Sequence, residues 1–215
     1  MILETGDLYH IYNQGNNRIR IFYSRENYFF FLNKIKKHII PHADILAWCL
    51  MPNHFHLMAY VHSLEICKEI NQVQSLITDD ANTNNHKVNL NDSFGTVLSS
   101  YTRSINTQEK RTGSLFRIHT HSECLTKMDL HTPSFFNTQH GTLINQHFPE
   151  KEYPQVCFNY IHNNPVKAGL VKHPGDWEFS SYRDYCGSRN GKLINRKRAE
   201  EFGLVIDGGF INQSL

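Results

Sequence analysis

Two histidines separated by a single residue, His54 and His56, are the side chains of this sequence whose type and spacing most directly suggest chemistry. The run over residues 54–61 alternates in character and predicts a β-strand, in which residues two apart point to the same face. Two imidazoles on one strand face form half of a site for a divalent cation. The chain has 14 histidines, and His119 and His121 form a second such pair, so an incidental or structural pair is the competing interpretation.

The residues before the histidine pair predict its partner strand. Residues 45–50 are apolar and predict a strand, and Pro52 and Asn53 form a turn signal after it. We therefore expect a hairpin with the histidines near its tip. Phe55 and Leu57 would point from the opposite face of the strand into a core.

The remaining elements alternate between strands and helices along the chain. We predict a strand at 8–12, a helix from Ser24 to about 40, a helix at 64–77, a loop at 78–92, a helix at 94–109, a strand at 115–121, an irregular insertion at 125–150, and a helix at 154–162 that Asn163, Asn164 and Pro165 end. The order strand, helix, strand, strand, helix, strand, helix predicts an α+β fold. We expect a ferredoxin-like or RRM-like sandwich, an antiparallel sheet with helices on one face.

Composition places this chain of 215 residues among globular proteins, with 40% hydrophobic and 12% aromatic residues. No apolar run reaches the roughly 18 residues of a membrane span, and the first residues lack the pattern of a secretory signal. The five cysteines are scattered without C-x-x-C spacing, which favours a reducing compartment. We expect a cytoplasmic protein, and the net charge of +2 requires that any nucleic-acid surface be a local patch.

Several sequence blocks occur in an order that is typical of one family. They are Tyr9–Asn16, Met51–Leu57, the set Tyr101, Asn106, Arg111, Gly113, Leu115 and Phe116, then Tyr160–Val171 and Trp177–Tyr182. The chain resembles the single-tyrosine HUH transposases, specifically the REP-associated tyrosine transposases and their insertion-sequence relatives. The resemblance implies a catalytic domain over residues 1–185, with insertions at about 78–92 and 125–150, and a C-terminal extension over 186–215.

The resemblance also implies a nucleophile. The family's catalytic tyrosine lies seven residues before the tyrosine of the Y-I-x-x-N-P block, which here begins at Tyr160, so the matching position is Tyr153. Its expected reaction is transesterification of single-stranded DNA through a 5′-phosphotyrosine link. The competing tyrosines, each with a plausible packing role, are Tyr101, Tyr160, Tyr182 and Tyr185.

A divalent cation, Mg²⁺ or Mn²⁺, is the cofactor that the resemblance implies, with His54 and His56 as ligands. The family often places a third ligand one turn after the tyrosine, and Cys157 occupies that position here. A thiolate is a soft ligand that suits Mg²⁺ poorly. The nearby oxygen donors that would substitute are Glu150, Glu152, Gln155 and Asn159.

The expected partner is single-stranded or hairpin DNA in the bacterial cytoplasm, and a homodimer is the expected assembly. Candidate DNA-binding residues, chosen because cationic side chains contact phosphates, are Arg103, Lys110, Arg111, Arg117 and Lys167.

Two other classes of function remain open from the sequence. A domesticated relative would hold hairpin DNA or RNA without cutting it. A different phosphate enzyme with paired histidines is the other class. The histidine-triad hydrolases need a third histidine where this chain has Met58, and the two-histidine phosphoesterases need separated H-x-T or H-x-S pairs that do not recur here.

Overall fold

The computed structural model describes residues 1–68, 86–127, 135–138, 141–144 and 153–206. The strands in these ranges are β1 (Leu8–Gln14), β2 (Ala43–Met51), β3 (His54–Val61), β4 (Glu65–Lys68), β5 (His86–Asn89), β6 (His121–Cys124), β7 (Phe135–Thr138) and β8 (Gly141–Ile144). The helices are α1 (Arg25–His38), α2 (Leu90–Gln108), α3 (Tyr153–Lys167), α4 (Tyr182–Tyr185) and α5 (Arg196–Glu201), with 3-10 turns at Asn16–Arg18 and Pro174–Asp176.

A four-stranded antiparallel sheet in the order β2-β3-β1-β6 organises the molecule. This is the pairing of a ferredoxin-like β-α-β-β-α-β unit, so the predicted α+β fold is confirmed. The two outer pairs β4-β5 and β7-β8 are separate two-stranded ribbons. The predicted hairpin is also confirmed, because β2 and β3 pair directly with Met51 opposite His54.

One face of the sheet packs against α1 and α2. Phe55 and Leu57 of β3, fully buried, lie in the same apolar cluster as Phe31 of α1 and Tyr101 of α2. The Tyr101 hydroxyl donates to the Ile21 carbonyl at 2.8 Å, which satisfies its only polar group inside this core. The period-2 pattern of β3 therefore directs its apolar residues to this side and its histidines to the other.

The opposite face is partly covered by α3 and by the C-terminal extension. Phe158 and Ile161 of α3 form a second buried cluster with Met58 of β3, and Ala199 and Leu204 of the extension join it. The predicted packing of helices on one face is therefore correct for α1 and α2, whereas α3 packs on the other face. Helices pack on both faces of the sheet, since Met58 on the histidine face of β3 is apolar and packs with α3.

Several predicted boundaries are wrong. Residues 65–68 and 86–89 form the β4-β5 ribbon where a helix and a loop were expected, and α2 begins at Leu90 inside that loop; residues 69–85 lie outside the described part of the chain. The strand predicted at 115–121 is displaced, because Phe116 makes a single bridge to Gly15 and the paired strand starts only at His121. Within 125–150, residues 135–138 and 141–144 pair as β7-β8 rather than being irregular.

The predicted end of α3 is also wrong, since the helix continues through Pro165 to Lys167. Pro165 has no N–H to donate, and the helix ends two residues later, with the Leu170 N–H bonding to the Pro165 carbonyl at 2.9 Å. The Asn164 side chain donates to the Tyr160 carbonyl at 3.1 Å and supports this last turn.

The described part of the C-terminal extension packs on the β2 edge of the sheet. Ile194 forms a parallel bridge with Ile45, and the Asn195 N–H donates to the Ile45 carbonyl at 2.8 Å. Among the described residues, no helix has the length and apolar character needed to cross a lipid bilayer.

Candidate active site

The site is a polar patch on the sheet face that α3 covers. Alternation along β1 places His10 and Tyr12 on this face, and the register sets Tyr12 opposite His56 of β3 and His10 opposite Glu123 of β6. His54 lies two residues before His56 on the same strand, β3. Three neighbouring strands thus contribute imidazole, phenol and carboxylate groups to one surface.

The two predicted histidines do share a face, as the spacing predicted. Their ring centroids lie 5.0 Å apart and the ring planes are nearly perpendicular at 88°. His54 Nδ1 lies 2.6 Å from Asn53 Oδ1, and His56 Nδ1 lies 2.9 Å from His10 Nε2. Each ring therefore has its Nδ1 atom held by a neighbour, which fixes the ring orientation.

Burial keeps both histidines neutral near neutral pH. Desolvation lowers the pKa of His54, and a hydrogen bond from its ring to the Asn164 side chain offsets part of that effect. Desolvation lowers the pKa of His56 further, and the neighbouring His10 and His54 rings add to the shift. A neutral imidazole retains the lone pair that a metal ion needs.

Tyr153 is the first residue of α3, and Pro154 follows it in the first turn, where proline is tolerated. The half-buried Tyr153 hydroxyl donates a hydrogen bond to Glu123 Oε1. The other carboxylate oxygen, Glu123 Oε2, lies 3.8 Å from His10 Nδ1. Tyr153 thus connects to His56 through Glu123 and His10.

Tyr160 and Lys167 also reach the site from α3. The Tyr160 ring meets His56 edge-on at a centroid distance of 5.5 Å, and Lys167 Nζ lies 5.0 Å from the centre of the Tyr160 ring. Burial raises the pKa of Tyr160 and lowers the pKa of Lys167. Tyr160 is therefore the competing tyrosine that the fold brings nearest to the histidine pair.

The other cationic candidates occupy two places. The Arg117 N–H bonds to the Gln14 carbonyl at 2.9 Å, and Gln14 is paired with His54, so Arg117 lies at the histidine end of the sheet. Lys110 and Arg111 precede it in the turn after α2. Arg103 is exposed on α2 and lies on the opposite side of the sheet, so the fold does not bring it to the histidines.

The described residues include two of the ligands that a metal site would need, His54 and His56. The described part of the chain contains no cluster of three or more His, Cys, Asp or Glu side chains that could hold a metal ion. Cys157 is buried, and burial raises the pKa of its thiol well above the ordinary range, so it stays protonated. His54 and His56 would supply two neutral nitrogen ligands to such an ion, and its other positions would be left to water and oxygen ligands, as Mg²⁺ commonly requires.

Of the proposed substitute ligands, Gln155 points away from the histidines. Gln155 Nε2 donates to Asn159 Oδ1 at 2.9 Å and to the Val205 carbonyl at 2.8 Å, so Gln155 faces the C-terminal extension. Glu150 and Glu152 lie outside the described residues. The amide of Asn164, which bonds to the His54 ring, is the oxygen donor that the fold does bring to the pair.

Comparison with solved structures relates this architecture to one protein. The structure of a REP-associated tyrosine transposase bound to a REP hairpin superposes with a TM-score of 0.52, over 91% of this chain and 86% of that chain. This chain has the fold of a REP-associated tyrosine transposase. The sequence identity to that transposase is 17%, so the likeness concerns the fold. No protein-family model and no curated protein matches the chain.

The resemblance found in the sequence is thus confirmed at the level of the transposase fold. Sequence reasoning missed His10, Glu123 and Asn164 as members of the site. The signal for His10 was present, since it alternates with the buried Tyr9 and Ile11 in β1. Glu123 carried no such signal, because the strand was predicted to end before it.

Proposed function

We propose that this protein cleaves and rejoins single-stranded DNA by transesterification, with Tyr153 as the nucleophile. One observation carries the proposal: α3 packs on the face of the sheet that presents His54 and His56, and the Tyr153 hydroxyl is joined to that pair through Glu123 and His10. A tyrosine on the α1-α2 face would lie on the wrong side of the sheet.

The reaction exchanges one phosphoester for another. Tyr153 Oη forms a bond to the scissile phosphorus while the bond from phosphorus to the 3′ oxygen breaks. The downstream strand stays on the protein through a 5′-phosphotyrosine, and the upstream strand leaves with a free 3′ hydroxyl. Because the link retains a phosphodiester, rejoining requires no external energy source.

His54 and His56 are the residues that would hold the divalent cation. A bound Mg²⁺ or Mn²⁺ would polarise the scissile phosphate and stabilise its developing charge. Asn53 and His10 keep the two rings oriented for this task, through contacts of 2.6 and 2.9 Å. The lowered pKa values of both histidines support binding at neutral pH.

Hairpin DNA is the proposed substrate class, and the structurally similar transposase was solved with a REP hairpin. Arg117 lies where β1 ends beside the histidine hairpin, so it is the proposed phosphate contact near the scissile bond. Lys110 and Arg111, in the turn after α2, are proposed as further phosphate contacts. Lys167 approaches the same face from α3. Arg103 would contribute only through DNA that extends around the molecule.

A covalent-adduct assay tests the proposal. The wild-type protein is incubated with Mn²⁺ and a panel of single-stranded hairpin DNAs that carry one dye at the 5′ end and another at the 3′ end. We expect the 3′ dye to migrate with the protein under denaturing conditions and the 5′ dye to appear on a shorter free strand. The adduct should disappear in Tyr153→Phe, which keeps the aromatic ring and hence hairpin binding.

Two further variants separate the competing assignments. Tyr160→Phe should still form the adduct, and adduct in Tyr153→Phe but not in Tyr160→Phe would transfer the role to Tyr160. His54→Ala should bind the hairpin but form no adduct. Hairpin binding by the wild type with no adduct on any probe would reject cleavage.

A non-cleaving hairpin-binding module is the second candidate function. The observation that favours it is Cys157, whose buried, protonated thiol occupies the position of the family's third metal ligand. Restoring an oxygen ligand with Cys157→Gln distinguishes the two candidates. Adduct formation that requires this substitution would assign the natural chain to the binding class.

A further inference from the structure

Glu123 contacts the proposed nucleophile, Tyr153. Its Oε1 atom accepts the hydrogen bond from the Tyr153 hydroxyl, which is the atom that would attack phosphorus. Its Oε2 atom faces His10 Nδ1 at 3.8 Å, and His10 in turn holds His56. The carboxylate therefore bridges the nucleophile and the residue that orients a histidine of the pair.

The fold holds the Glu123 carboxylate on the histidine face of the sheet and leaves it partly exposed to water. Glu123 lies in β6, where its backbone pairs with His10 of β1, so its side chain is held on the histidine face. Its side chain is 32% exposed, against 6% for His10. Water can therefore reach the carboxylate and exchange a proton with it, which a fully enclosed group would not allow.

The negative charge of Glu123 affects the groups around it. Burial is the main cause and the Glu123 carboxylate a further cause of the raised pKa values of Tyr12, Tyr160 and Cys157. A phenol at this site therefore stays protonated at neutral pH unless a base accepts its proton. Among the described residues, the titratable groups that face Glu123 are His10 and Tyr12 from β1, His121 from β6, and Tyr153, Cys157 and Tyr160 from α3.

We propose that Glu123 is the catalytic base that accepts the Tyr153 proton during attack. This role rests on the proposed function. As the Tyr153 oxygen bonds to phosphorus, its proton passes to Glu123 Oε1, and the electron pair of the broken bond goes to the 3′ oxygen, which takes a proton from water. In the rejoining step the flow reverses, and the Glu123 carboxylic acid returns its proton to the departing Tyr153 oxygen.

The neighbouring groups are less suited to the role. His10 Nδ1 faces the Glu123 carboxylate, and its Nε2 is engaged by His56 at 2.9 Å. His121 stacks on the Tyr12 ring with a centroid distance of 5.1 Å. Glu123 already contacts the reacting oxygen before substrate binds.

Single-turnover adduct formation measured from pH 5 to pH 10 tests the role. The wild-type rate should be nearly independent of pH over the upper part of this range, because a carboxylate base accepts the proton without prior ionisation of the phenol. Glu123→Gln keeps a hydrogen-bond acceptor but cannot take the proton, so its rate at pH 7 should fall by about 10²–10⁴-fold. Its rate should then rise about tenfold per pH unit as the phenol ionises, so that the deficit narrows at high pH.

Two variants serve as controls. Glu123→Asp retains a carboxylate, and its rate should stay independent of pH even where it is reduced. Glu109→Gln removes an exposed carboxylate at the end of α2 and should match the wild type. Hairpin affinity should be equal in all four proteins.

The outcomes separate this role from the proposed function. A Glu123→Gln rate equal to the wild type, or reduced by one constant factor at every pH, would overturn the assignment of Glu123 as the base while leaving Tyr153 as the nucleophile. The absence of adduct from the wild type would overturn both.

Discussion

His10 is the residue that connects the two halves of the site. Its ring stacks against His56 with a centroid distance of 5.1 Å, and its two nitrogens face His56 and Glu123. The spacing of His54 and His56 could be read directly from the sequence, because a strand has a period of two. His10 lies 46 positions before His56, so only the pairing of β1 with β3 reveals the contact. Tyr153 was predicted from a family spacing, and its catalytic role stays a prediction.

The first prediction concerns His10→Ala. Without its neighbour, the His56 ring loses the contact that fixes its orientation, and outer contacts of this kind typically change metal affinity about 10–100-fold. We expect Mn²⁺ affinity, measured by calorimetry without DNA, to fall by that factor. His119→Ala, which removes an exposed histidine, should leave the affinity unchanged. Equal affinities in His10→Ala and the wild type would contradict an orienting role.

The α3 helix is the element on which sequence and structure differ most instructively. Proline ordinarily ends a helix, yet Pro165 lies within the last turn because little helix remains after it. The start of α3 was predicted within one residue of Tyr153, since proline in a first turn marks a helix start. The faces of α3 were not predictable, because polar and apolar residues are mixed along it. One face carries Tyr160 and Asn164 to the histidines, and another buries Phe158 and His162.

The second prediction concerns the buried His162 of α3. Its Nε2 atom lies 2.7 Å from the Ser181 hydroxyl, and burial lowers its pKa to about 3 from an ordinary value of 6.5. The folded protein therefore binds fewer protons than the unfolded chain between these values. Its contribution to stability is complete above about pH 6.5 and is lost as the pH falls towards 3.

Urea unfolding at pH 7 and pH 5 measures this effect. The His162 contribution to the free energy of unfolding should decrease by about 2 kcal/mol between the two pH values. His162→Gln has no ionisable group, so its free energy of unfolding should fall by correspondingly less over that interval. His119→Gln, an exposed change, should retain the wild-type difference. An unaltered pH difference in His162→Gln would contradict the burial of a neutral imidazole.

At the scale of the whole molecule, an ion pair joins the C-terminal extension to α4. Asp184 is 1% exposed, and Arg189 donates to both of its carboxylate oxygens at 2.8 and 2.7 Å. The Arg189 guanidinium also lies 5.0 Å from the centre of the Trp48 ring on β2. The overall fold class was predictable from the order of elements, whereas this pair was not, because its members lie five positions apart, one in α4 and one in the irregular chain after it. The boundary at residue 185 and the homodimer stay predictions.

The third prediction concerns Arg189→Ala. The variant leaves the Asp184 carboxylate buried without its cation, which should cost about 3–5 kcal/mol in the free energy of unfolding. Thermal and urea unfolding measure the loss. Arg103→Ala, at an exposed position of α2, should change stability little. The double change Asp184→Asn with Arg189→Gln should be less damaging than Arg189→Ala, and a greater loss in the double variant would contradict this account of the pair.

Mass spectrometry of the covalent adduct tests the central claim most directly. Nuclease trimming followed by trypsin should release a peptide over residues 152–167, which contains both Tyr153 and Tyr160. Fragment ions that include the first tyrosine but not the second then locate the modification. The account predicts a nucleotide joined through its 5′ phosphate to Tyr153. A nucleotide on Tyr160, or on a residue outside this peptide, would contradict it.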